Sequence, residues 1–175
     1  MEEVVSKGVI PEEYSRRFEI NALQDASQLA GREVELEAID QAWKNWSVTA
    51  NPLLIIGEGG CGMSSLINSE TYEVPPVVII ENVERLFRRR VNGFNLLDDI
   101  LLFIHTTKEK IFWVASINQY AAYYLNEVRN FANNFPSKLH IPPLGEEIIE
   151  ELINDRNEGY EWFFLKPENT PNVLQ

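Results

Sequence analysis

Cysteine is almost missing from this chain: Cys61 is the only one in 175 residues. One thiol forms no internal disulfide, and with just two histidines it builds no structural zinc site. A disulfide framework is therefore excluded, and a reducing cytoplasmic setting is the expectation. Basic residues are scarce as well. Fifteen Lys and Arg stand against 27 Asp and Glu, a formal charge of −12 that repels phosphate backbones and anionic lipid over most of the surface. The chain lacks any run of about 18 apolar residues, and Met-Glu-Glu-Val-Val at its start has neither the basic residues nor the apolar stretch of a secretory signal. No membrane association is expected. What remains is ordinary for a globular protein: apolar types make up 45% and charged types 24%, enough for one sizeable core at roughly 150 residues per domain.

Hydrophobic spacing divides the chain. Pro11 opens a short helix in an N-terminal arm, 1–30. Val34, Leu36, Ile39, Ala42, Trp43 and Trp46 recur at helical intervals and predict an amphipathic helix over 32–46, with Arg32, Glu33, Glu35, Glu37, Asp40 and Lys44 on its polar face. Asn51-Pro52 ends it. Leu53-Leu54-Ile55-Ile56 is unbroken apolar sequence, which reads as a strand buried on both faces. The runs 77–80 and 111–117 read the same way, and Leu139-His140-Ile141 is a fourth candidate strand. Helices are expected from Val83 to about His105, interrupted near Asn92-Gly93, from Gln119 to about Asn133, and from Glu146 to Arg156. This alternation predicts an α/β fold, a three-layer sandwich with a short, mostly parallel sheet between helices, occupying 31–160 and followed by a tail, 161–175.

The segment after the first strand carries the chemistry. Gly57, Glu58, Gly59, Gly60, Cys61, Gly62, Met63, Ser64 and Ser65 have the spacing of a phosphate loop, except that Met63 stands where the motif has lysine. Glycines let the backbone turn its N–H groups inward as an anion nest, and Ser64 is placed to reach a phosphate-bound Mg²⁺. The alternative is a glycine-rich turn without a ligand. Cys61 is either a thiol activated by the following helix or simply a small loop residue.

With these residues the chain resembles the AAA+ ATPases, and more loosely the additional-strand P-loop NTPases. Gly31-Arg32-Glu33, a helix and Pro52 to Gly57 look like the family's lead-in, and the glycine loop like its Walker A motif. Val77 to Asn82 is similar to the Walker B strand, and Ile111 to Asn118 to the sensor-1 strand. The resemblance implies ATP or ADP and Mg²⁺ as ligands, with Gly57 and Gly59 to Ser65 around the phosphates. It implies Ser64 and Glu81 at the metal, Asn82 where the water-activating glutamate usually sits, and Asn118 near the terminal phosphate, where it is equally an N-cap. Asparagine orients a water but accepts no proton, so hydrolysis is expected to be impaired. Glu84 is a conceivable substitute base, and Arg156 either a sensor-2 arginine or a helix-end cation. Only 66–75 separates the loop from 77–80, so one family strand is missing and Val77 to Ile80 is expected on the sheet edge. Val4 and Val5, or another subunit, would cover it.

Arg85, Arg88, Arg89 and Arg90 form the one dense basic patch, with the first three expected on a common helix face. They are open to three uses: pairing with the many acids, completing a neighbouring subunit's site, or touching nucleic-acid phosphate. Asp98-Asp99 do not converge on one point, Tyr120, Tyr123 and Tyr124 read as packing or solvent-facing, and His105 and His140 have no partner at ligand spacing. The expectation is a nucleotide-binding P-loop module. The alternatives are a non-catalytic scaffold docking on its own copies or on intact ATPase subunits, and a nucleic-acid accessory acting through the arginines.

Overall fold

Side chains alternate across a strand, so one apolar strand between two helical layers feeds two cores at once. The computed structural model describes residues 29–68 and 76–157. Its strands are β1 (Leu53–Gly57), β2 (Val77–Ile80), β3 (Phe112–Asn118) and β4 (Ser137–Ile141); its helices are α1 (Glu33–Thr49), α2 (Met63–Asn68), α3 (Asn95–Thr107), α4 (Gln119–Arg129) and α5 (Glu146–Asn157). Leu54 and Ile56 of β1 join Trp113, Ala115 and Ile117 of β3, and Leu97, Ile104 and Leu125 of α3 and α4, in one core. Leu53 and Ile55 join Phe112 and Val114, and Ile39, Trp46, Leu66 and Ile67 of α1 and α2, in the other.

The sheet is wholly parallel, in the order β2-β3-β1-β4. The molecule is thus an α/β protein with a four-stranded parallel sheet flanked by helices. As the resemblance implied, 77–80 is an edge strand; among the described residues it pairs only with β3. It is half-buried rather than enclosed on both faces, with Ile79 exposed, because an edge strand has a sheet neighbour on one side only. Val4 and Val5 lie outside the described residues, as do 69–75. The compact unit carrying the sheet spans 22–145; α5 belongs to a second unit, and none of its residues is buried. No helix among the described residues is long and apolar enough to cross a membrane.

Three helical expectations need correction. Helix α1 begins at Glu33 and runs to Thr49, where Ala50 adopts the left-handed conformation and donates to the Trp46 carbonyl at 2.7 Å. Val34, placed on its apolar face, is 78% exposed, whereas Glu35, placed on its polar face, is buried. The predicted helix from Val83 is a single 3-10 turn, Val83–Leu86, followed by irregular chain up to α3. Arg85, Arg88 and Arg89 therefore share no helix face. The helix from Gln119 stops at Arg129, with Asn130 at φ 50°, and resumes as a 3-10 turn, Phe131–Asn134. That turn sets Phe131 and Phe135 into the core, where each fully buried ring contributes roughly 1.5–3 kcal/mol.

Candidate functional site

Parallel strands bring their carboxyl ends to one rim, and open α/β sheets bind ligands there. In this rim Gly57 of β1 lies in register with Asn118 of β3, and Ile80 of β2 with Ala115. The glycine loop, Glu81-Asn82 and Asn118 are thereby gathered from three separate stretches of sequence.

The loop turns through Gly60 and Gly62, at φ 86° and 89°, values L side chains rarely adopt. A Cβ at either position, or at Gly59, would meet nothing within 4 Å, so the outer side of the turn is open. Its inner side is filled. A Cβ on Gly57 would come within 2.5 Å of Cys61 Sγ and 3.2 Å of Met63 Sδ, so both sulfur atoms lie folded against that glycine. The Cys61 amide donates to Glu58 O at 3.2 Å, and the first bond of α2 runs from Leu66 N–H to Gly62 O at 2.9 Å. The amides ahead of Leu66 at the head of α2 have no place in its ladder.

Two sequence-predicted metal residues meet across the rim: the Ser64 hydroxyl donates to Glu81 Oε2. A hydroxyl and a carboxylate suit a hard divalent cation that keeps its other positions for water and phosphate. Among the described residues no group of three or more His, Cys, Asp and Glu could hold a metal by itself. The fit to Mg²⁺ is that of a shared, phosphate-borne ion. The fit to the phosphates lacks its cation: Met63 offers a thioether packed on the α1–α2 core.

Asn82 adopts φ 54°, a left-handed conformation that asparagine tolerates far better than most residues, and its N–H donates to the buried Ser116 Oγ at 3.1 Å. The backbone thus gives asparagine a reason to be there that the position in a motif does not supply. Asn118 caps α4, its Oδ1 accepting from Tyr120 N at 2.9 Å. Glu84 leaves a buried Oε2 without a hydrogen-bond partner.

Sequence reasoning passed over two supports of the loop. Arg32, 4% exposed, donates to Glu35 Oε1 at 3.0 Å, to Cys61 O at 2.8 Å and to Pro142 O at 2.9 Å, binding α1, the glycine loop and the chain after β4 together. Glu58 accepts from Gln119 Nε2, and from the Tyr120 hydroxyl at 3.3 Å, tying the loop to the start of α4. Arg32 and Glu35 have the i, i+3 spacing of a helical ion pair, but no spacing rule exposes the contacts of Arg32 with Cys61 and Pro142 or of Glu58 with Gln119 and Tyr120, which join residues 29 to 110 positions apart.

Burial pushes the Cys61 thiol above its ordinary 9.0, outweighing the Met63 backbone hydrogen bond and the Arg32 charge, which lower it. The activated-thiol alternative is thus reversed. Thiol reagents at pH 8 should label the folded protein much more slowly than the urea-unfolded chain; equal rates would contradict the burial. Because the unfolded thiol ionises first, this group's stabilising effect is complete below about 9.0 and is lost as pH rises through that value toward the folded one.

The fold is α/β, and its parallel sheet gathers the glycine loop, Glu81-Asn82 and Asn118 at one rim. No protein-family model and no curated protein matches the sequence. Among solved structures the chain is similar to the Aeropyrum pernix ORC2 protein, determined as ADPNP-ADP complexes, at 13% identity and a TM-score of 0.48. That similarity covers 79% of this chain and 55% of the other, so the chain spans little more than half that protein's length.

Proposed function

We propose that this chain is a nucleotide-binding module resembling an AAA+ core, which binds ATP or ADP with Mg²⁺ and hydrolyses it slowly or not at all. The observation that carries the reading is the meeting of Ser64 with Glu81 beside a glycine turn whose outer side is open. Backbone amides of the loop hold the phosphates, Ser64 and Glu81 share the metal with them, and the Asn118 carboxamide turns its NH₂ end to the terminal phosphate while its oxygen caps α4. Asn82 positions a water without accepting its proton, which is why turnover is slow.

Titration with a fluorescent ADP or ATP analogue should give micromolar binding that weakens when Mg²⁺ is chelated. Glu81→Gln should remove most of that Mg²⁺ dependence and leave the residual affinity alone. No binding at millimolar nucleotide overturns the reading. It would favour instead a scaffold without nucleotide, for which the inward-packed Met63 thioether is the specific support.

A further inference from the structure

Four arginines crowd into residues 85–90 of a chain whose formal charge is −12, and all four are exposed. None has a carboxylate within ion-pair distance among the described residues. The acids of the described residues thus do not neutralise them. The segment that presents them is nevertheless well built. Arg88 N–H donates to Gly93 O at 3.0 Å, Gly93 N–H to Arg90 O at 2.9 Å, and Arg90 N–H to Arg88 O at 2.8 Å. A Cβ on Gly93 would overlap the Arg88 carbonyl, so the closure requires glycine. Phe87 and Phe94 stack at its base, 4.4 Å between centroids.

That base rests on α4. Tyr124 meets Phe87 at 5.8 Å, and the Arg129 guanidinium lies 4.4 Å from the Phe94 centroid while pairing with Asp98 at 3.7 Å. Tyr123 and Tyr124 are exposed on this helix, Tyr123 by 73%. Glu127 follows them on the same face and opposes any polyanion there.

We infer that the Arg85–Arg90 turn and the Tyr123–Tyr124 face of α4 together form a binding surface for single-stranded nucleic acid. Guanidinium groups take phosphate oxygens in pairs and stack on planar rings, and exposed aromatic rings supply π-faces on which successive bases stack. An acidic polypeptide would be served by the arginines alone and makes no use of the tyrosines. The surface is independent of the nucleotide reading of the sheet rim.

The test is fluorescence anisotropy of a labelled oligothymidylate with the full chain. If three or four phosphates are neutralised, affinity falls roughly twentyfold to fiftyfold between about 50 and about 200 mM salt. Arg88→Gln/Arg89→Gln/Arg90→Gln should abolish measurable binding even at about 50 mM salt. The three side chains are exposed, so an unchanged melting curve verifies that the variant is folded. Tyr123→Ala should weaken binding about fivefold or more with the salt dependence unaltered. Absence of binding at low salt overturns the inference, as does binding that the arginine variant retains. Equal competition by polyglutamate, with no effect of Tyr123→Ala, would assign the surface to an acidic protein and overturn it equally.

Discussion

Met63→Lys should tighten Mg²⁺-nucleotide binding by roughly tenfold to a hundredfold, the worth of about 1.5–3 kcal/mol for one charge-assisted hydrogen bond. The geometry favours the gain, because the side chain at 63 already folds back over the loop, its Sδ lying 3.2 Å from where a Gly57 Cβ would be. A lysine stem following that path keeps methylenes on the α1–α2 core and brings an ammonium to the loop. Met63→Leu conserves the apolar volume and should leave affinity unchanged, which separates charge from packing. Hydrolysis should not be restored, since Asn82 still accepts no proton. Calorimetric titration of the natural chain and both variants checks this. Equal affinities for lysine and methionine would show that phosphate is not held at this loop.

Arg32→Met should destabilise the protein by about 3–5 kcal/mol, the usual effect of removing one partner of a buried ion pair. The Glu35 carboxylate would stay buried without its cation, and the carbonyls of Cys61 and Pro142 would each lose a donor. For a chain of this size each kcal/mol is worth about 2–4 °C, so the melting temperature should drop by roughly 6–20 °C. Arg32→Lys should fall between the two, because an ammonium keeps the charge but cannot reproduce the planar fork that reaches three oxygens. Arg32→Met/Glu35→Leu should recover part of the loss by removing the orphaned carboxylate. Thermal and urea unfolding measure all three. A melting temperature within about 2 °C of the natural chain in Arg32→Met would contradict the stapling role.

These two residues also mark the boundary of what sequence could disclose. Met63 was legible as a position of interest because Gly57, Gly62 and Ser64 keep the spacing at which a phosphate loop would carry lysine between the last two. The strands were legible for a related reason: runs such as Leu53 to Ile56 are apolar at consecutive positions, which suits a strand covered on both faces. Arg32 and Glu35 were misplaced because helical periodicity sorts residues by polarity. It cannot see that a charged pair is buried when each charge finds a partner. The segment after Val83 was misread for a different reason. Val-Glu-Arg-Leu-Phe-Arg-Arg-Arg has good helical propensity, but the Phe87–Phe94 stack and the tight closure at Gly93 outweigh it.

The sequence by itself determined the alternation of strands and helices, the glycine turn after the first strand and the absence of a lysine from it, because these depend on neighbours within a few residues. The tertiary structure alone decided that Ser64 meets Glu81, that Arg32 ties the loop to the chain after β4, and that Tyr124 of α4 meets Phe87 beside the arginines. Those are relations between segments up to 110 residues apart, set by strand order and register, and no local pattern encodes them.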